Sequence, residues 1–566
     1  MLRPRRVFAL AALTALALGA CRGGKAPDPE PAGAADGPVW FEDVTDRVGL
    51  DMTHDPGPGG KHFLPEIMGS GAAFLDFDGD GRLDILLLQN GGPKSSSKNR
   101  LYHQRPDGRF EDVSAGSGLD VPGHWMGVAV GDVNNDGRPD VFLTGYGEAR
   151  LFLNRGDGTF ADVTAAAGLS SPLWGTAAAF LDFDRDGWLD LVVTHYVDYE
   201  PGTKCNGMRG HPDYCHPKIF AGTVTTLYRN IGSPEGRFVD VTLVSGLAKL
   251  PGPGLGVVCF DADGDGWPDI FVANDAEANR LWINQKNGTF KDEALARGVA
   301  FNGLGQPQGN MGIAVADADG DGLPDLFVTH LNEEFHTLWR QGPRGMFSDR
   351  TADAGLTRPH WRGTGFGCVF ADFDNSGHPA LALVNGRVSR VAAAQPKGGF
   401  DWSLYGERNQ LFQNDGTGRF RDISLSNPAF CDAPNIGRGL AVGDIDNDGA
   451  PDLLVTSIGG KARLYRNVAP GRGHWLQIRA VDPKLKRDAY GAVVTVSAGG
   501  RDRVQTLNPA YSYLCSNDPR LHFGLGPVAS VDSVRVAGPD GTREEFPGGA
   551  VDRLTTLNRG AGKGVP

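Results

Sequence analysis

A nine-residue pattern of acidic side chains recurs seven times along the chain, and this recurrence restricts the available folds more than any other feature. It reads LDFDGDGRLDILL at Asp76, GDVNNDGRPDVFL at Asp132, LDFDRDGWLDLVV at Asp182, FDADGDGWPDIFV at Asp261, ADADGDGLPDLFV at Asp317, ADFDNSGHPALAL at Asp372 and GDIDNDGAPDLLV at Asp444. Carboxylates at positions 1, 3, 5 and 9 repel one another unless a cation lies among them. Calcium takes six to eight oxygen ligands and fits such a loop, with a backbone carbonyl at position 7 and a glycine at position 6 for the sharp turn. An EF-hand is not implied, because it needs a bidentate Glu at position 12 and a departing helix, whereas that place in the fourth loop is Val272 within an apolar, strand-like run.

The expected ligands are Asp76, Asp78, Asp80 and Asp84; Asp132, Asn134, Asp136 and Asp140; Asp182, Asp184, Asp186 and Asp190; Asp261, Asp263, Asp265 and Asp269; Asp317, Asp319, Asp321 and Asp325; and Asp444, Asp446, Asp448 and Asp452. In the loop at Asp372, Ser376 and Ala380 replace the third and fourth carboxylates, so weak or absent binding is expected there. That leaves about six calcium ions, mainly structural.

The loops recur about every 61 residues, a period suited to four-stranded propeller blades with insertions. A second signature alternates with them: FEDV at Phe41 and Phe110, FADV at Phe160, FVDV at Phe238, FKDE at Phe290, FSDR at Phe347 and FRDI at Phe420. The series begins with a Phe motif and ends with a loop, so a half-repeat is left over at each end. Joined, the halves close a ring. The expected fold is therefore all-β, a seven-bladed β-propeller over residues 39–469, followed by a small β domain over 470–560 where short apolar and polar stretches alternate.

Ahead of the propeller, Arg3, Arg5 and Arg6 precede an apolar run that ends in Leu18-Gly19-Ala20-Cys21, which reads as an export signal with a lipobox over residues 1–21. Cys21 would carry the lipid and residues 22–38 would form a flexible tether, placing the protein at a bacterial outer membrane or cell surface. Sec and twin-arginine export both remain open. Membrane attachment would be through that lipid alone.

The net charge of −13 becomes −16 once the signal is removed, and the seven loops hold 25 of the 68 acidic residues. Metal ligation thus accounts for much of the acidity. The lack of a basic stripe argues against nucleic acid as a partner. Cys205 and Cys215 bracket an insertion and are expected to form a disulfide, while Cys259 and Cys368 lie in apolar runs as buried thiols. Arg155-Gly156-Asp157 aligns with turns elsewhere in the repeat, so turn chemistry explains it.

Loops on one face of a propeller converge on its channel, a usual ligand site. Candidates for such a face are His54, Lys61 and Glu66, then Asn274, Asp275 and Asn279, then His330, Glu333 and Glu334, with insertions at 195–225 and 386–410 as walls. No nucleophile or zinc-protease motif is present, so catalytic residues are not assigned.

The Asp loops with their Phe-Gly turns resemble the FG-GAP and VCBS repeats of integrin α-subunit-type propellers. MTHDPGPGGKHFLPEIMGSGAAFLDFDGDG, GVVCFDADGDGWPDIFVANDAEANRLWIN and MGIAVADADGDGLPDLFVTH resemble the bacterial relatives of the cartilage acidic protein family. KRDAYGAVVTVSAGG (486–500) and SYLCSNDPRLHFGLG (512–526) are similar to the ASPIC/UnbV domain that follows the propeller in that family. Cys515 departs from a more usual small polar residue, and there is no EGF-like module. Together these features imply a calcium-binding envelope module that binds or adheres to a glycan or protein. The alternatives are a calcium-assisted polysaccharide lyase, with His54, Lys61 or His330 handling the proton, and an UnbV-like role in secondary metabolism.

Overall fold

The computed structural model describes residues 37–169, 171–207, 210–390 and 400–565. Residues 1–36, which hold the expected export signal, Cys21 and most of the expected tether, lie outside the described residues. The described part is all-β, built on seven four-stranded antiparallel sheets. The second sheet shows the plan: Trp125–Gly131, Asp140–Gly145, Ala149–Asn154 and Phe160–Asp162 follow in chain order, each paired with the next. The other sheets begin with Ala72–Leu75, Gly175–Leu181, Gly254–Phe260, Ile313–Ala316, Gly365–Ala371 and Gly437–Gly443. These first strands are buried on both faces and pack side by side in cyclic order, the seventh returning to the first. Such a ring leaves no sheet without a neighbour on either side, and the edges that remain are short outer strands.

Closure uses the leftover half-repeat. Phe41–Asp43 is the outer strand of the last sheet, with Phe41 opposite Asn467 and Asp43 opposite Tyr465. Each Phe motif starts a fourth strand, and its ring is buried against the sheet.

The ring is tied from sheet to sheet by a side chain the sequence reading did not single out. An Asn or Gln ends every third strand and donates its amide to a loop carbonyl of the preceding sheet. Asn154 reaches Phe77 O (2.8 Å), Asn230 Val133 O (2.8 Å), Asn284 Phe183 O (2.9 Å) and Gln341 Ala262 O (3.1 Å). Asn414 reaches Ala318 O (2.8 Å), Asn467 Phe373 O (2.9 Å), and Gln104 completes the circle at Ile445 O (2.7 Å). All seven are buried, where an unmade hydrogen bond costs more than a made one contributes.

The C-terminal domain consists of two small sheets, one containing His474–Asp482 and Leu521–Gly526, the other Val493–Ala498, Arg501–Thr506 and Ser530–Ala537. Its apolar interior is continuous with that of the ring: Ala492, Val494 and Val496 cluster with Ala178, Phe180 and Leu189. Arg487 is buried at the junction, donating to Asn135 Oδ1 (2.9 Å) and Gly187 O (3.1 Å).

Candidate metal loops and the two faces of the ring

Every acidic loop joins the first strand of a sheet to the second, so all seven lie on one face. Position 1 is folded inward. Asp76 Oδ1 accepts from the amides of Gly79 (2.9 Å) and Asp80 (3.0 Å), and Oδ2 accepts from Gly81 (3.0 Å). Position 9 is deeper: Asp84 accepts from Phe77 N (3.1 Å) and Gln104 N (2.8 Å), and Asp140, Asp190, Asp269, Asp325 and Asp452 repeat that pair of bonds. This carboxylate thus fastens the loop to the end of its own sheet's third strand.

Carboxylate oxygens gather within 4.8 Å of one another in the groups Asp76, Asp78 and Asp84; Asp182, Asp184 and Asp190; Asp261, Asp263 and Asp265; and Asp317, Asp319 and Asp321. Burial pushes Asp84, Asp269 and Asp325 up to about 8, Asp132 and Asp182 to about 6 and Asp444 to about 7. Burial also raises Asp140, Asp190 and Asp452 well above the ordinary carboxylate range. Backbone amides leave lone pairs free on these oxygens, and the donor set is oxygen throughout, which fits a hard divalent cation that would keep the cluster ionised. Asn134 stands at position 3 of the second loop, where its amide donates to Asp136 (3.0 Å).

The outer carboxylates also meet basic side chains. Arg229 pairs with Asp184 (2.5 Å) and Asp186 (3.1 Å), Lys286 with Asp265 (3.0 Å), Arg297 with Asp263 (2.9 Å) and Arg466 with Asp446 (2.6 Å). His103 lies 3.0 Å from Asp78 and 3.5 Å from Asp80. Partly exposed pairs of this kind contribute little to stability.

In the sixth loop Asp372 keeps its bonds from Ser376 N (2.9 Å) and Gly377 N (2.6 Å), but the buried Ala380 leaves no carboxylate at position 9. Asp372 itself is buried and pushed well above the ordinary carboxylate range.

The centre of the ring is filled. A segment of the C-terminal domain enters from the loop face and bonds to the first strands of six sheets. Asn508 donates to Cys259 O (2.8 Å), Ser512 and Ile313 exchange backbone bonds (2.7 and 2.9 Å), and Cys368 N donates to Ser512 Oγ (3.0 Å). Val128 N donates to Leu514 O (3.3 Å), Cys515–Ser516 lies parallel to Ala72–Ala73, and Val442 N donates to Asn517 Oδ1 (2.9 Å). Tyr513 is fully buried at the axis, its ring 4.9 Å from that of Phe366 and its hydroxyl donating to Met68 O (3.2 Å). Glycine is required beside this segment: a Cβ on Gly71 would lie 2.6 Å from Leu514 O, and one on Gly439 would lie 2.9 Å from Cys515 Sγ.

On the opposite face the two long insertions meet. Tyr405 donates to Asp213 Oδ1 (2.8 Å) and Arg390 N to Asp213 Oδ2 (2.8 Å), roofing the channel. Cys205 and Cys215 are joined in a disulfide, Cα atoms 5.1 Å apart. Cys259, Cys368, Cys431 and Cys515 are buried free thiols.

The residues expected to share a ligand site on this face fall into separate places. Glu66 is buried, its Oε2 without a partner and its carboxyl pushed up to about 7 by burial, with Lys61 and the Tyr199 and Tyr214 hydroxyls around it. Asp275, which accepts from Tyr196 Oη (2.6 Å), adjoins Glu334, which accepts from Gly309 N (2.9 Å). Asn274 and Asn279 are buried in bonds to Ala278 O (2.8 Å) and Val299 O (3.1 Å). His54 is buried beside Gly459, and His330 is buried against Thr337 Oγ1 (3.0 Å); burial drives both imidazoles toward the neutral form. Glu333 is exposed. Arg155-Gly156-Asp157 forms a turn in which Asp157 accepts from Thr159 N (3.0 Å). Among the described residues no helix is long and apolar enough to cross a membrane.

Comparison with known proteins gives two family matches. The ASPIC and UnbV family matches residues 482–564, and the FG-GAP-like repeat matches residues 76–143, 132–193, 261–328 and 402–455. Cartilage acidic protein 1 of Mus musculus is 28% identical over 313 residues, 53% of this chain and 44% of that protein. The Homo sapiens protein is 27% identical over 313 residues, 53% of this chain and 43% of that one, so the chain spans less than half the length of these relatives. Among solved structures, a lectin from Agrocybe aegerita described as recognising non-reducing terminal N-acetylglucosamine aligns at 14% identity and a TM-score of 0.39, over 69% of this chain and 86% of that one. Rhamnogalacturonan lyase YesW aligns at 14% identity and a TM-score of 0.36, over 71% of this chain and 72% of that one.

Proposed function

Because the chain belongs to the FG-GAP-repeat proteins that carry an ASPIC and UnbV domain, we propose that it is an exported, lipid-anchored binding module, held rigid by calcium, that engages a glycan or protein at the cell envelope. The observation that carries this reading is the arrangement of the loops. Carboxylate oxygens, in four of the loops within 4.8 Å of one another, stand on one face of a closed ring, with the C-terminal domain seated on them. Cations there would supply charge neutralisation. The residues themselves already fix each loop through the amide bonds to positions 1 and 9, so the surface is preorganised for a partner.

An enzymatic reading is favoured by one observation, the Glu66 carboxyl held near neutrality beside two tyrosine hydroxyls. A proton donor or acceptor of that kind suits an acidic sugar. His54 and His330 are buried with one ring nitrogen bonded and the other unpartnered, and burial drives both toward the neutral form.

The two readings separate in one experiment. Calcium-loaded protein from residue 39 onward is incubated with a glycan panel, and mass spectrometry follows both depletion and new products. Retention of intact glycans supports the binding module. Shortened or unsaturated fragments that vanish with Glu66→Gln would replace it with the enzyme.

A further inference from the structure

Between the loop face and the C-terminal domain lies a cavity of about 800 Å³. Its C-terminal wall is continuous. Arg501, Arg503 and Gln505 alternate along the strand Arg501–Thr506 and so share a face, Gln505 donates to His522 O (2.5 Å), and His522 stands opposite Gln477 in the neighbouring strand. All five line the cavity.

Two features of this wall call for a ligand. The first is charge. Arg501 lies 3.3 Å from His378 Nε2, and Arg503 reaches only the carbonyl of Ala498 (3.3 Å). Burial and the like charge of Arg501 together hold the Arg503 guanidinium below its ordinary range. These two cations stand against Gly320 of the fifth loop and Gly377 of the sixth, and the sixth loop is the one that has lost two carboxylates. Arg229, Arg297 and Arg466 have outer carboxylates of a loop as partners; Arg501 and Arg503 form no ion pair with the sixth loop among the described residues, and of its carboxylates Asp372 alone acts on Arg503.

The second feature is unmade hydrogen bonds. Gln477 is 1% exposed, and its Oε1 has no partner. His522 Nδ1 and Arg503 Nε are likewise unpartnered, although His522 Nε2 is fixed to Asn375 Oδ1 at 2.8 Å. Buried polar atoms left in this state cost about 1–3 kcal/mol each, which a hydrogen-bonding ligand would recover.

Guanidinium pairs select a planar carboxylate, which they bind by two parallel hydrogen bonds. The amide of Gln477 and the ring nitrogen of His522 suit hydroxyl groups. A molecule with both chemistries is an acidic sugar, and about 800 Å³ is within the range of pockets that enclose small ligands. We propose that this cavity binds a uronic acid unit, its carboxylate on Arg501 and Arg503 and its hydroxyls toward Gln477 and His522. The proposal deepens the binding-module reading and rests on it.

Titration calorimetry of the protein from residue 39 onward in calcium buffer tests this, with dimers of galacturonate, glucuronate and mannuronate, neutral galactobiose and inorganic phosphate as probes. At least one uronate dimer is expected to bind, with galactobiose and phosphate about 10- to 100-fold weaker. The double variant Arg501→Ala, Arg503→Ala is expected to weaken uronate by a similar factor with its melting temperature preserved. Gln477→Leu separates the hydroxyl contacts, weakening uronate while leaving phosphate unchanged. No binding of any uronate dimer, phosphate as tight as uronate, or full affinity in a folded arginine double variant would overturn the site. Retention of an intact polymer by that same double variant would remove this cavity while leaving the binding-module reading standing.

Discussion

Glu66 shows how burial alone changes a residue's chemistry. Its folded carboxyl titrates near 7 against an ordinary value of 4.5, so the folded state holds more protons than the unfolded state between those values. Stability therefore falls as pH rises through that window and is level above it. Glu66→Gln should remove this pH dependence, about 3 kcal/mol when the change in urea-unfolding stability from pH 4.5 to 8 is compared between the two proteins. A second residue-scale test concerns the amide ties. Asn284→Ala breaks the bond to Phe183 O and leaves a buried carbonyl unpaired, so a loss of about 1–3 kcal/mol is expected in the same assay. An unchanged midpoint would show that the tie contributes nothing. The acidic residues were legible because like charges at fixed spacing call for a cation. The Asn and Gln ties were not, although LFLN, LYRN, LWIN and LFQN repeat in plain view, because a neutral amide at a strand end carries no signal of a partner roughly one repeat away.

At the scale of the element, the loop and its flanking strands act as one unit. With free calcium a hundredfold above the dissociation constant, each occupied loop would add about 2.7 kcal/mol to stability, so chelation should lower the melting temperature substantially. Native mass spectrometry gives the sharper test. Asp263→Ala in the fourth loop is expected to lower calcium occupancy by one, whereas Asp374→Ala in the sixth is expected to leave it unchanged. Equal effects would mean that the sixth loop binds despite Ser376 and Ala380. The alternation of loop and Phe motif made the sheet order readable, including the pairing of Phe41–Asp43 with the last sheet. The candidate ligand face was less readable. Polar residues such as Asn274, Asn279 and His330 look like binding groups in a sequence, yet here they satisfy buried backbone and hydroxyl groups where strands turn.

At the scale of the molecule, the ring and the C-terminal domain share one interior. Tyr513→Ala should cost about 3–5 kcal/mol, because it empties the axis and orphans the carbonyl of Met68. Calorimetry should show one transition in the parent protein, the two units unfolding together; two separate transitions would contradict the shared core. Nothing in SYLCSND announces this role, since a short segment without periodicity gives no sign that it will lie among six other strands. The closing strand has a consequence of its own. Phe41 pairs with Asn467, so this strand is made before the whole of the ring and waits for its partner until the ring's final sheet has been made. At typical synthesis rates the interval is on the order of 20 to 80 s, during which the growing arc has two unsatisfied edges. A nascent chain that stalls before Asn467 keeps both edges, and one that stalls before Tyr513 also keeps an empty axis. The protein thus becomes resistant to aggregation and proteolysis only once Asn467 and then Tyr513 have been made.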